Sequence, residues 1–234
     1  MRLCSHAFHN HQAMNDTPVI TNSLLDMYSK NNSWPTRLNF HAFLSISGLN
    51  AMPRTARILD LGCGSGILLH LLKQSGFQEL WGIDASPEMV TLARNFGAAN
   101  IICDDATNFT RHFSEKSLDV IVICCLLHHI PDEAAWNSML ASAAAVLTGG
   151  GCLIIREPYP NLTSNVLKFL SRISSLHRGF LKPHLAGYEH ERHFLDYFMP
   201  RWRVRRKRLL EMHGYAIHRD FNWWVHRITT ARKE

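Results

Sequence analysis

The sequence predicts a doubly wound α/β fold: a seven-stranded, mostly parallel sheet with helices on both faces. Three observations carry the prediction. Short aliphatic segments alternate with segments of helical periodicity from about Ala56 to Glu157. One aliphatic segment runs directly into a glycine-rich turn and then a helix, at "RILDLGCGSG". The last two strand-like segments lie close enough along the chain to pair as an antiparallel hairpin.

Taken in order, residues 1–16 form a polar, His-containing tail expected to be disordered. Residues 17–234 read as one domain, opened by two helices over residues 17–50. Strands follow at "ARILDLG", "ELWGIDA", "NIICDDA", "LDVIVICC" and "GCLIIRE". Helices fall between them at "GILLHLLKQSG", "SPEMVTLARNFG" and "DEAAWNSMLASAAAVLTGG". Terminal glycine suits a left-handed helix cap, and Ser86 before Pro87 suits an N-cap followed by proline at the first helical position. Residues 159–200 read as a helical insertion that acts as a lid. In it Leu162, Val166, Phe169, Ile173, Leu176 and Phe180 recur at helical spacing among cations. After the basic "RWRVRRKR", which is read as the first turns of a helix, "YAIHRDFNWW" and "VHRITTARK" form the hairpin.

Composition narrows the function classes. The six basic residues of "RWRVRRKR" account for the whole excess of 25 Lys and Arg over 19 Asp and Glu. A nucleic-acid protein carries its charge as a broad face, so this concentration argues against nucleic acid and for a solvated helix face. No apolar run reaches the roughly 18 to 20 residues of a membrane-spanning helix, and the N-terminus lacks a secretory hydrophobic segment. The cysteines (Cys4, Cys63, Cys103, Cys124, Cys125 and Cys152) form no CxxC pair, and five sit in or beside apolar strands. A soluble protein of the reducing cytoplasm is expected.

A strand, a glycine turn and a helix together present backbone N–H groups and a helix N-terminus to a ligand. The dinucleotide pattern GxGxxG fails at Ile67, and no Lys-Ser or Lys-Thr completes a phosphate loop. An acidic residue followed by Gly62, Gly64 and Gly66 remains. "LDLGCGSG" resembles the first motif of class I S-adenosylmethionine-dependent methyltransferases, and the resemblance continues through "WGIDASPEM", "CDDATNF", "LDVIVICCLLHHIPD" and "LTGGGCLIIREP" in the family's order. It implies a Rossmann-like fold and S-adenosyl-L-methionine as cofactor. By the same resemblance Asp60 holds the methionine ammonium and the three glycines shape the turn. Asp84 accepts from the ribose hydroxyls, with Ala85 and Met89 near ribose and adenine. Asp105, with Asp104 as the alternative, accepts from the adenine amino group, Ala106 meets a ring nitrogen, and Cys124 lies beside the methionine moiety.

Methyl transfer from a sulfonium needs an aligned acceptor and a route for its proton. "LLHHIPD" lacks the Asn- or Asp-Pro-Pro-aromatic motif of nucleobase N-methylating relatives, and its "HH" resembles the branch that contains quinone and natural-product methyltransferases. His129 is favoured as proton acceptor over His128, the other reading being a cap and a packing residue. Glu157 either touches the acceptor or pairs with Arg156. Tyr159, His184, Tyr188, His190 and His193 mark acceptor recognition in the lid. His190 and His193 do not have HExxH spacing, and no metal site is read. The expected function is methyl transfer to a small organic molecule, at oxygen or nitrogen, with a natural product or an amphiphile as acceptor. The apolar stripe flanked by cations leaves peripheral membrane contact open. The alternatives are an RNA or protein methyltransferase anchored by residues 201–208 and a non-catalytic cofactor-binding protein.

Overall fold

Aliphatic runs in the sequence become strands, and helices follow the first, second, fourth and fifth of them. The computed structural model describes residues 34–98, 100–130, 132–159, 165–166 and 182–234, with side chains described from 36 onward and, in the last helix, from 196 onward. These residues fall into two compact units, one ending at His112 and one beginning at Phe113.

The first unit contains α1 (Trp34–Ser47), β1 (Ile58–Leu61), α2 (Ile67–Gln74), β2 (Leu80–Asp84), α3 (Pro87–Asn95) and β3 (Ile101–Cys103). β1 is buried at every position, and parallel pairing sets Asp60 opposite Gly82 and Asp84 opposite Cys103. A Cβ at Gly82 would lie 2.7 Å from Leu69 Cδ1 and 2.8 Å from Cys63 Sγ, so this glycine lets α2 close onto the sheet. Ser86 caps α3 as its sequence context predicts, its Oγ accepting from Met89 N at 3.2 Å, with Pro87 following. Of the two helices expected over residues 17–50, α1 is described, and residues 1–33 lie outside the described residues.

The second unit contains β4 (Leu118–Cys124), α4 (Glu133–Val146), β5 (Leu147–Pro158), α5 (Lys182–Met212), β6 (Tyr215–Trp223) and β7 (His226–Lys233). β4 and β5 are parallel with Cys124 opposite Arg156, whereas β7 runs antiparallel to both β5 and β6. The seven strands are ordered β3-β2-β1-β4-β5-β7-β6, so the expected architecture and its antiparallel C-terminal hairpin are present.

Two boundaries differ from the sequence reading. The helix expected to run to the Gly149-Gly150 pair ends at Val146, and β5 begins at once with Leu147, which is fully buried and pairs with Leu118. Burying that leucine outweighs another half-turn of helix. The expected break between lid and basic helix at Pro200 is also absent, because α5 passes through it without interruption. Phe198, Met199 and Trp202, all under 5% exposed, hold that part of the helix in place. The ring of Phe198 stacks on Trp202 at 5.6 Å and meets Trp136 of α4 edge-on at 5.0 Å. Burial on this scale offsets the one hydrogen bond that a proline costs a helix.

Candidate functional site

In the first unit the site grows from the turn after β1. Gly62, Gly64 and Gly66 have φ values of 71°, 51° and 75°, a region that glycine enters without cost. The N–H groups of Gly62 and Cys63 both donate to Ile83 O, at 2.8 and 3.0 Å, tying the turn to the end of β2. The glycines have different local reasons. A Cβ at Gly66 would lie 2.8 Å from Ala93 Cβ, so α2 and α3 could not pack as they do, whereas a Cβ at Gly64 would meet nothing within 4 Å. Gly64 therefore leaves open space beside its backbone.

Asp84 faces that turn. Its Oδ2 accepts from Gly64 N at 2.8 Å and its Oδ1 from Ser86 N at 2.9 Å. Burial pushes its carboxyl pKa up, and these two N–H donors oppose the shift. Asp60, at the sheet end of the same turn, is 2% exposed. Ala85 is exposed, and Met89 is buried on the first turn of α3.

The two carboxylates after β3 have different tasks. Asp105 is exposed and caps the 3₁₀ turn Ala106–Arg111, its Oδ1 accepting from Thr107 N at 2.8 Å and Thr107 Oγ1 at 2.7 Å. Ala106 is buried beneath it. Asp104 takes His112 Nε2 at 2.7 Å, Asn108 Nδ2 at 3.2 Å and Asp105 N at 2.8 Å. Burial alone would raise its pKa, but these donors outweigh burial and hold it below the usual carboxylate value. His112 has no signal in the sequence, because only the 3₁₀ turn brings it back to a residue eight positions earlier.

The second unit carries the histidines. β4 ends at Cys124, and Cys125 turns the chain with φ 56° while its N–H donates to Arg156 O at 2.8 Å. The 3₁₀ turn Leu127–His129 follows, with Leu126 at the N-cap, whose side chain supplies no cap. Glu157, at the end of β5, supplies it instead. Its Oε1 accepts from Leu126 N at 2.8 Å and Leu127 N at 2.7 Å, and its Oε2 lies 2.8 Å from His128 Nδ1. A carboxylate only accepts, so His128 Nδ1 carries the proton. Glu157 is 0% exposed and His128 2%. Sequence reasoning offered Glu157 as an acceptor contact or a partner of Arg156; the structure places it under the turn, bonded to His128. His129 is exposed, and its ring packs on His128 with centroids 4.1 Å apart.

The remaining sequence candidates are placed in part. Tyr159 is 9% exposed, its N–H donates to Val225 O at 3.0 Å, and the guanidinium groups of Arg227 and Arg206 lie 5.0 and 5.7 Å from its ring centre. His184, Tyr188, His190 and His193 fall on the backbone of α5, but their side chains are outside the described residues, as is most of the insertion preceding them. The basic stretch is largely engaged with its own unit. Arg201 and Arg205 pair with Glu133, Arg206 is 8% exposed and bonds Asp220 at 2.7 Å, and Lys207 lies 3.7 Å from Glu211.

Comparison with known proteins gives the same reading. Residues 58–151 match the model of a methyltransferase domain. The chain is 32% identical over 162 residues to a ubiquinone biosynthesis O-methyltransferase of Hahella chejuensis, covering 64% of each protein. It is 31% identical over 122 residues to 2-methyl-6-phytyl-1,4-hydroquinone methyltransferase of Synechocystis, covering 50% of this chain and 36% of the relative. It is also 31% identical over 103 residues to trans-aconitate 2-methyltransferase of Pseudomonas aeruginosa, covering 44% of this chain and 36% of the relative. The matched region thus spans from about a third to just under two thirds of these relatives' own lengths. The fold is shared with magnesium protoporphyrin IX methyltransferase of Synechocystis, at a TM-score of 0.63 and 18% identity over 92% of this chain and 96% of the other. The glycine turn beside Asp84 lies within the stretch that matches a methyltransferase domain, and the fold is the one these methyltransferase structures share.

Proposed function

We propose that this protein transfers a methyl group from S-adenosylmethionine to oxygen or nitrogen of a small organic acceptor in the cytoplasm. The observation that carries the cofactor half is the glycine turn with open space at Gly64, next to an ionisable carboxylate at Asp84. These residues fit the group, since a diol needs a hydrogen-bond acceptor and a close ligand needs a backbone without a Cβ. Asp84 would hold the ribose and Asp60 the ammonium end, with Ala85 and Met89 along ribose and adenine. Asp105, with its exposed carboxylate, and the Ala106 backbone would meet the adenine, and Cys124 would lie along the methionine through its main chain. When bound, the cofactor supplies an electrophilic methyl on a sulfonium leaving group.

The chain's own residues would align the acceptor and move its proton. His129 is the proton acceptor in this reading, because it is the exposed member of the histidine pair. His128 acts through it: fixed by Glu157, it presents a flat face against which the His129 ring rests. Tyr159 would line the acceptor side at the end of β5, joined by His184, Tyr188, His190 and His193 from the lid. Relatives named for ubiquinone, a phytylated hydroquinone and trans-aconitate support a small-molecule acceptor. A basic anchor for RNA or protein gains no support, since Arg201, Arg205 and Arg206 are spent on Glu133 and Asp220.

Isothermal titration with S-adenosylmethionine, S-adenosylhomocysteine and NAD tests the cofactor, and transfer of radiolabelled methyl into a fractionated cell extract tests the acceptor. The expected result is binding of the two adenosyl ligands but not NAD, with label in the small-molecule fraction. Label in RNA or protein would overturn the acceptor class. Absence of adenosyl-ligand binding would overturn the whole reading.

A further inference from the structure

Arg206 is a buried cation whose hydrogen bonds are incomplete. It projects from α5 onto β6, is 8% exposed, and gives Nη2 to Asp220 Oδ2 at 2.7 Å. Its Nε and Nη1 are enclosed and meet no acceptor among the described residues. Arg227, which shares Asp220, sets the contrast. Its Nε and Nη2 bond the Asp220 carboxylate at 2.7 Å each, and its Nη1 bonds Asn222 Oδ1 at 3.0 Å. Thr229 Oγ1 adds another donor to Asp220 Oδ1 at 3.0 Å. Asp220 is therefore fully engaged, and the donors left on Arg206 need an acceptor from elsewhere. A guanidinium nitrogen enclosed without one has lost its water and gained nothing in exchange.

Charge points the same way. Two guanidiniums share one carboxylate, which leaves one positive charge, and adding the buried Arg156 and Glu157, one of each sign, does not change the balance. The ring of Tyr159 lies beside both cations, its centre 5.0 Å from Arg227 Cζ and 5.7 Å from Arg206 Cζ. The cluster is also next to the histidines. Arg227 stands opposite Glu157 in the β5–β7 ladder, and cross-strand partners share a face of the sheet. Glu157 is the carboxylate that holds His128.

We propose that Arg206, with Arg227 and Tyr159 around it, forms a subsite for a carboxylate of the acceptor, which makes the acceptor an organic acid. A carboxylate brings one negative charge and two acceptor oxygens that suit the planar guanidinium. A phosphate group brings about two charges to a site with one to neutralise, beside Asp220. The carboxylate is held and not methylated: the methyl goes to another oxygen or to a nitrogen of the same molecule, presented to His129. The acceptor class rests on the methyl transfer proposed above, whereas anion binding at Arg206 stands without it.

The test uses the whole protein labelled with heavy nitrogen, observed at the arginine Nε–H resonances with and without S-adenosylhomocysteine, Arg206 being assigned through its own backbone. Titrated benzoate is expected to shift the Arg206 signal saturably, and benzamide, which has the same shape without the charge, to leave it in place. Arg206→Lys keeps a cation for Asp220 and should weaken benzoate binding about tenfold or more in calorimetry. No saturable shift with benzoate in either state, or an equal shift with benzamide, would overturn the proposal, and neither result depends on a variant folding. Binding of inorganic phosphate in preference to benzoate would overturn the choice of a carboxylate. For the acceptor, a small-molecule extract is split by anion exchange, and label from S-adenosylmethionine is expected in the retained fraction. Label only in the unretained fraction would overturn the acid class. Benzoate binding with no label in any fraction would fail the proposed function and uphold the subsite.

Discussion

Asp84→Ala is expected to weaken S-adenosylhomocysteine binding by about 10- to 100-fold in calorimetry, because charge-assisted hydrogen bonds contribute roughly 1.5 to 3 kcal/mol. Its pKa is raised, mainly by burial. The ionised form that accepts hydroxyls is therefore lost, and affinity should fall, as pH drops through a value higher than that of an ordinary aspartate. The glycines separate into two phenotypes. Gly66→Ala places a Cβ 2.8 Å from Ala93 Cβ at φ 75°, and should cost about 1 to 3 kcal/mol in urea unfolding. Gly64→Ala meets no atom within 4 Å and should lose cofactor affinity out of proportion to its smaller loss of stability. At this scale the sequence showed that glycine was needed at each position but not which served packing and which served access. That distinction depends on α3, a separate segment of the chain.

At the scale of elements, the turn after β4 depends on β5. Glu157→Ala leaves two backbone N–H groups and His128 Nδ1 without their shared partner, and should cost about 3 to 5 kcal/mol in denaturant unfolding. Glu157→Gln keeps a carbonyl oxygen for the N–H pair and should lose less stability, while turnover still falls because the His128 bond changes. His129→Ala should lower kcat with little change in stability, its ring being exposed. Helix α5 provides a second contrast. Arg206→Glu sets a buried acid against Asp220 and should destabilise strongly, whereas Arg205→Glu breaks only an exposed pair and should cost less than about 1 kcal/mol. The sequence presented these two arginines as equivalent members of one basic run. Helical phase and the hairpin behind the helix make one a buried anchor and leave the other at the surface.

For the whole molecule, His226 makes stability depend on pH. Burial holds its pKa well below the ordinary value, helped by the nearby charges of Arg156 and His128. The unfolded chain then binds a proton that the folded protein refuses. Stability should be complete above about pH 6.5 and fall by up to about 1.4 kcal/mol per pH unit below it, in urea titrations between pH 8 and 5. His226→Gln should flatten that slope. Asp104 acts on the further acid side: its depressed pKa contributes stability above the unfolded value that is lost as pH falls through the folded one.

The sequence by itself determined the order of elements along the chain, the glycine turn, the position of Asp84 at a strand end and the resemblance to methyltransferases, because each is written within a few consecutive residues or in the order of local motifs. The tertiary structure decided what Glu157, His112 and Arg206 do. Each acts on a partner that another segment brings near: Glu157 on a turn thirty residues earlier, His112 on Asp104, and Arg206 on Asp220. A buried carboxylate and an exposed one are the same letter in a sequence. Their roles separate only when folding removes water from one of them and supplies its hydrogen-bond donors.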